Sequence, residues 1–395
     1  MASDDLPEPP DTPNPFAGMP FFADMAKAMS SQGPLNWDMA KQFAALGAVG
    51  DSPDETPDPQ VRFAFAELAT IADMHVRDVT TLSTDPHNTR TELHPTTRAL
   101  WAHRTLQDFR PLFTDLANAL SQRPTSDGSQ DPMSSMLSGL GAMMSPALLG
   151  MSIGSMIGAM AQRAFGQYDL PLPRPDTSQL MLLPSSIEKF AVDWSLNTDD
   201  VRMWVLIHEL TSHAVLSTTA VDQGVTALVR QHVAAFRPDA NAIFDKLSDL
   251  DISDPSAMQN LQSVFADPTV LMGAVRTPEQ ERIAPLLDAH ASAVISYIDH
   301  VVDIVTERIL GGSTQIAEAA RRRRLETGPD AVFVEHLLGL KLSRQQLQSG
   351  RAFIDGVMQR GGEDALLMLT ADAANLPTPN ELEAPGLWIA RLELQ

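Results

Sequence analysis

His208, Glu209 and His213 share one apolar stretch, Trp204-Val205-Leu206-Ile207-His208-Glu209-Leu210-Thr211-Ser212-His213-Ala214-Val215-Leu216. A His followed directly by a Glu opens the helical pattern in which two imidazoles four residues apart hold Zn²⁺ and the Glu is the general base. Zinc so held lowers the pKa of a bound water towards 7, and the carboxylate takes that water's proton as it attacks a carbonyl. Glu209 is therefore the candidate catalytic residue, and His208 and His213 are the candidate metal ligands. The spacing departs from the pattern, because the second His comes five residues on and Ser212 stands where it belongs. At about 100° per residue, a four-residue step leaves side chains roughly 40° apart, and a five-residue step roughly 140°. A regular helix cannot aim His208 and His213 at one ion, although a single π-bulge would restore the alignment. The bland alternative is a His hydrogen-bonded within a helix bundle beside an acid on its flank.

These residues need a helix to carry them, and Asn197, Thr198, Asp199 and Asp200 provide its start: a capping side chain followed by acids that suit the helix dipole. Val201, Trp204, Val205, Ile207 and Leu210 make this helix apolar on most sides, which predicts a central, buried position. Gln179 to Pro184 reads as one short strand between turn-forming residues. Val61 to Leu120 and Ala331 to Gln395 show apolar residues at helical spacing and read as scaffold. His75, His87, His94 and His103 fall at no ligand spacing. Asp288, His290, Asp299 and His300 lie on a later helix, from which at most one of the two histidines could reach His208.

Met133 to Gln162 is an uncharged run rich in Gly and Ser and broken by Pro146, which reads as a buried helical hairpin and not a membrane span. Gly150-Met151-Ser152-Ile153-Gly154 matches the nucleophile elbow of serine hydrolases, but no strand pattern precedes it, as that motif requires. Gly150, Gly154 and Gly158 recur at i, i+4 and i+8, a stripe that lets another backbone approach closely.

The formal net charge of −22, from 50 acids against 28 Lys plus Arg, argues against nucleic acid or an anionic membrane as the main partner. Arg321-Arg322-Arg323-Arg324 reads as a solvated helix face balancing local acids, with an anion site as the lesser alternative. The absence of cysteine excludes disulfides, thiolate zinc sites and a Cys nucleophile. The first residues show neither a basic nor an apolar leader region, so the expected location is cytoplasmic. Residues 1–60 carry ten acids against Lys27 and Lys41 and many prolines. They read as an acidic, largely disordered arm with one or two short helices between Phe16 and Ala48, ahead of a helical domain over 61–395.

Beyond the His208 stretch, Gln32-Gly33-Pro34-Leu35-Asn36-Trp37-Asp38, Gly166-Gln167-Tyr168-Asp169-Leu170-Pro171-Leu172-Pro173 and Asp299-His300-Val301-Val302-Asp303 carry a further signal. In these segments the chain resembles the bacterial zincin-like metallopeptidase family, described as hydrolases or zinc-dependent metalloproteases, some associated with deazaflavin cofactor biosynthesis. The similarity runs from about Asn14 to the C terminus. It implies a mainly α fold with at most a small sheet, zinc as cofactor, His208 as first ligand, Glu209 as general base and Ser212 at the second ligand position. Relatives carry a Glu-Gly pair that would suit a third ligand, and the aligned pair here is Ile295-Ser296. The resemblance and the two departures together lead to a metallopeptidase scaffold impaired in zinc binding, which binds peptide or protein in the former cleft. The competing expectation is a working zinc hydrolase with a rearranged ligand set, and a third is a serine hydrolase using Ser152.

Overall fold

The computed structural model describes residues 33–50, 54–86, 90–121, 132–175, 178–237, 277–311, 314–325, 337–340 and 343–394. Residues 1–32 and 51–53 of the N-terminal arm, His87 and residues 331–336 lie outside them. In chain order the elements are α1 (Trp37–Val49), α2 (Pro59–Thr80), β1 (Glu92–Pro95), α3 (Arg98–Asp108), α4 (Arg110–Leu120), α5 (Pro132–Arg163), β2 (Gln179–Leu182), α6 (Pro184–Asp193) and α7 (Thr198–Leu216). There follow a π-helical turn at Asp222–Thr226, then α8 (Ala227–Ala234), α9 (Pro278–Leu310), α10 (Thr314–Leu325), α11 (Arg344–Leu367), α12 (Pro379–Glu383) and α13 (Pro385–Glu393). The fold is mainly α, as expected, with a single two-stranded parallel sheet among the described residues. Glu92 pairs with Gln179 and Pro95 with Leu182.

α7 is the centre of this arrangement. Asn197 caps it by accepting from the N–H groups of Asp199 and Asp200, and Val201, Val205, Leu206, Ile207 and Val215 are completely or almost completely buried. It packs against α2, α6 and α9, which is why its sequence is apolar on nearly every side. α9 begins with a capping box, in which Thr277 and Gln280 satisfy each other's backbone donors, and ends on Gly311 in the left-handed conformation.

The glycine stripe does what its spacing predicts. α1 lies along α5 so closely that a Cβ on Gly150 would strike the Asn36 carbonyl oxygen, and one on Gly154 that of Ala40. A Cβ on Gly158 would stand 2.8 Å from the Ala44 oxygen. Ala40, Ala44 and Ala48 supply the small residues on the facing side and are fully buried. One expectation for this run needs correction. The hairpin is one continuous helix, with Pro146 inside it; the Pro146 carbonyl accepts from the Asn36 N–H, so α1 gives this position an external partner. Ser152 sits in the middle of that helix, without the strand that an elbow needs. Among the described residues, no helix is long and apolar enough to cross a membrane.

Candidate functional site

α7 is α-helical throughout, and the π turn in this region comes only after it, at Asp222–Thr226. His208 and His213 therefore project to different sides, as a regular helix requires, and the alternative of a bulge aligning both on one ion is corrected. His208 is only partly covered, with 15% of its side chain exposed, whereas His213 is fully buried. Ser212, one turn after His208, is buried.

The Glu209 side faces the segment that follows α5. That segment is pinned from several directions: Trp101 Nε1–H donates to the Gly166 carbonyl at 2.7 Å, Arg174 donates to the Gln167 carbonyl at 2.7 Å, and the Met181 N–H donates to Gln167 Oε1 at 3.2 Å. So held, Tyr168 presents its backbone N–H to Glu209 Oε2 at 2.9 Å. Gly166 permits the approach, since a Cβ there would lie 2.5 Å from the Glu209 carboxyl carbon. The other carboxylate oxygen, Oε1, lies 3.3 Å from His208 Nδ1. Glu209 is completely buried with both oxygens engaged. This explains why Gly166-Gln167-Tyr168-Asp169 stood out in the sequence: it is the cradle of the carboxylate.

His213 belongs to a separate polar chain. The Thr91 hydroxyl donates to the Thr84 carbonyl, so it accepts from His213 Nε2–H at 3.0 Å, and the Tyr168 hydroxyl donates to His213 Nδ1 at 2.9 Å. Both ring nitrogens are thus occupied by the neutral imidazole's own bonds. Burial pushes the His213 pKa down to about 4 and the Tyr168 pKa up to about 12. Unfolding would restore His213 to its ordinary value near 6.5, so between these values the unfolded chain binds the extra proton. Stability present above pH 6.5 should therefore be lost as the pH falls towards 4, by about 3 kcal/mol from this group. Urea denaturation at several pH values should show that part of the slope missing in His213→Gln. An unchanged slope would mean that His213 titrates freely in the folded chain.

The His208 side is different. The Trp204 indole stacks on the imidazole, with centroids 5.5 Å apart. Arg324, from the last turn of α10, brings Nη2 to 3.4 Å from His208 Nε2. Its Nη1 bonds both Asp299 oxygens, at 2.9 and 3.1 Å. Burial disfavours the Arg324 charge, but Asp299, with Asp169 behind it, more than offsets this and holds its pKa above the ordinary value. Sequence reasoning missed the role of Arg324: its run does balance local acids, as expected, but the reading of it as a solvated face is corrected. Arg322 alone fits it, exposed and paired with Glu318. Arg321 donates to both oxygens of Asp303, and the Arg323 guanidinium lies 3.7 Å from the Phe165 ring centroid.

Of the remaining candidates, Ile295 is buried on α9 one turn before Asp299 and offers only an alkyl group. His290 is buried against the Gly224 carbonyl, at 3.3 Å. His300 lies among Asp355, Asp303, Glu363 and Arg351, and burial lowers its pKa. Among the described residues, no group of three or more His, Cys, Asp or Glu side chains is placed to hold a metal ion. A zinc peptidase site needs three converging protein donors. With His213 engaged elsewhere, a hydroxyl at Ser212, and Arg324 between His208 and Asp299, the residues present do not fit that ion.

The model of the zincin-like metallopeptidase family matches residues 35–389, and the chain belongs to that family. A crystal structure described as a "putative hydrolase with a novel fold", from Chloroflexus aurantiacus, is similar to it with a TM-score of 0.56 and 21% sequence identity. The likeness covers 91% of this chain and 99% of that one, and it bears on the fold. No curated protein matches the sequence significantly.

Proposed function

We propose that this chain is a zincin-like metallopeptidase-family protein that has given up zinc-dependent hydrolysis and acts by binding a peptide or a partner protein across the His208 face of α7. The observation that carries this reading is the phase of α7: on an unbroken helix His208 and His213 cannot serve one ion, and Ser212 occupies the position that could. The complete burial of Glu209, with both oxygens held by the protein, supports it, because a general base must reach water. The second reading, an active zinc hydrolase with a rearranged ligand set, draws on Asp299, a carboxylate linked to His208 through Arg324.

Metal analysis of the purified full-length chain separates the two. The expected result is zinc far below one ion per chain, with no change in His208→Ala. Stoichiometric zinc that disappears in His208→Ala, together with peptide hydrolysis that disappears in Glu209→Gln, would overturn the proposal in favour of the second reading.

A further inference from the structure

We propose that the Arg324 guanidinium stands in the place of the metal on His208, so that this chain carries a covalently attached cation where a zincin carries an exchangeable one. The inference deepens the non-catalytic reading above and rests on it.

Three observations converge on this assignment. Arginine has no acceptor, so at 3.4 Å from Arg324 Nη2 it is His208 Nε2 that accepts. The proton then sits on Nδ1, 3.3 Å from Glu209 Oε1, which can only accept from it. That tautomer is the one a metal on Nε2 would select, with a carboxylate orienting the ring from behind. Next, the guanidinium is balanced on its far side by Asp299, through two contacts of 2.9 and 3.1 Å. A cation flanked by an imidazole nitrogen and a carboxylate has the donor environment of a metal with one ligand too few.

Finally, α10 is built to hold this charge in position. Asp299 and Asp303 are one turn apart on α9, and Arg321 and Arg324 are one turn apart on α10, so the two pairs form successive rungs between the helices. The Arg323 guanidinium over Phe165 adds a third attachment. Asp299-His300-Val301-Val302-Asp303 thereby acquires a role: its two carboxylates seat the helix that delivers Arg324.

The test uses the full-length chain and ZnCl₂, with uptake read by equilibrium dialysis and elemental analysis. Removing the guanidinium in Arg324→Ala frees His208 Nε2 and Asp299, and Zn²⁺ should then bind at least roughly tenfold tighter than to the wild type. The gain should vanish in the double variant Arg324→Ala, His208→Ala. No gain in Arg324→Ala would overturn the assignment. Should that variant fail to fold, the unaltered chain decides: nitrogen chemical shifts of ¹⁵N-labelled histidine should report His208 as neutral and protonated on Nδ1. Protonation on Nε2 would overturn it. Either failure in a wild type free of zinc leaves the non-catalytic reading standing, whereas stoichiometric zinc in the wild type removes both.

Discussion

Gly154→Leu should lower the stability of the chain by more than about 4 kcal/mol, enough to leave much of it unfolded at 37 °C. The added Cβ would strike the Ala40 carbonyl oxygen, with the Ala40 Cα and carbonyl carbon only 3.0 Å away. All three are backbone atoms of the first turn of α1, so no rotamer change makes room. The two helices would have to part along their length, abandoning the burial of Ala40, Ala44 and Ala48 and the hydrogen bond from Asn36 N–H to Pro146. Gly154→Ala should be milder in degree and the same in sign. Gly386→Ala is the control, because its Cβ would meet nothing closer than Arg360 at 3.7 Å. Thermal denaturation followed by circular dichroism measures all three, and a Gly154→Leu chain melting with the wild type would show that α1 does not lie on α5.

Glu209→Ala should cost about 3 kcal/mol or more, whatever becomes of any activity. The substitution strands the buried Tyr168 N–H, takes the partner from the His208 Nδ1–H, and leaves a void beside Gly166. Glu209→Gln should cost less, since an amide oxygen still accepts from Tyr168, but its NH₂ then meets the His208 proton head on. Chemical denaturation should rank them as wild type, Gln, Ala. Equal stability of Ala and wild type would mean that the carboxylate is free in solution, as a general base would need. Loss of function in Glu209→Ala taken alone would say nothing of catalysis until this ranking is known.

Much of the fold is legible in the sequence where local chemistry decides it. Asn197 with Asp199 and Asp200 marks the start of α7, and the turn residues around Gln179–Leu182 mark β2. The glycine stripe announces a close helix neighbour, although nothing local says that the neighbour is α1. β1 is not legible: Glu92-Leu93-His94-Pro95 is short, mixed in polarity and ends in proline, and it becomes a strand only because β2 lies beside it. Pro146 misleads because a proline can be accommodated inside a long helix, and nothing local in the sequence says that this one is.

The candidate site divides in the same way. That His208 and His213 diverge follows from helical phase alone, and α7 is regular enough for the argument to hold. The Tyr168 cradle and the Arg324 contact depend on which elements meet. Four consecutive arginines look like a solvated face until Asp299, Asp303 and Phe165 are seen to receive three of them.

The seating of α1 on α5 also constrains how the chain is made. Ala40 leaves the ribosome roughly 110 residues before Gly154, which at ordinary elongation speeds is on the order of 10 s. For that interval a short helix faced with alanine has no groove to enter, and helices of this length are marginal on their own in water. The alanine face and the Asn36 N–H must therefore wait for a glycine track and a hydrogen-bond acceptor that have yet to be translated, although α3, which α1 also packs against, has already emerged. Truncation series released at increasing lengths should show protease protection of α1 arriving abruptly once α5 has emerged.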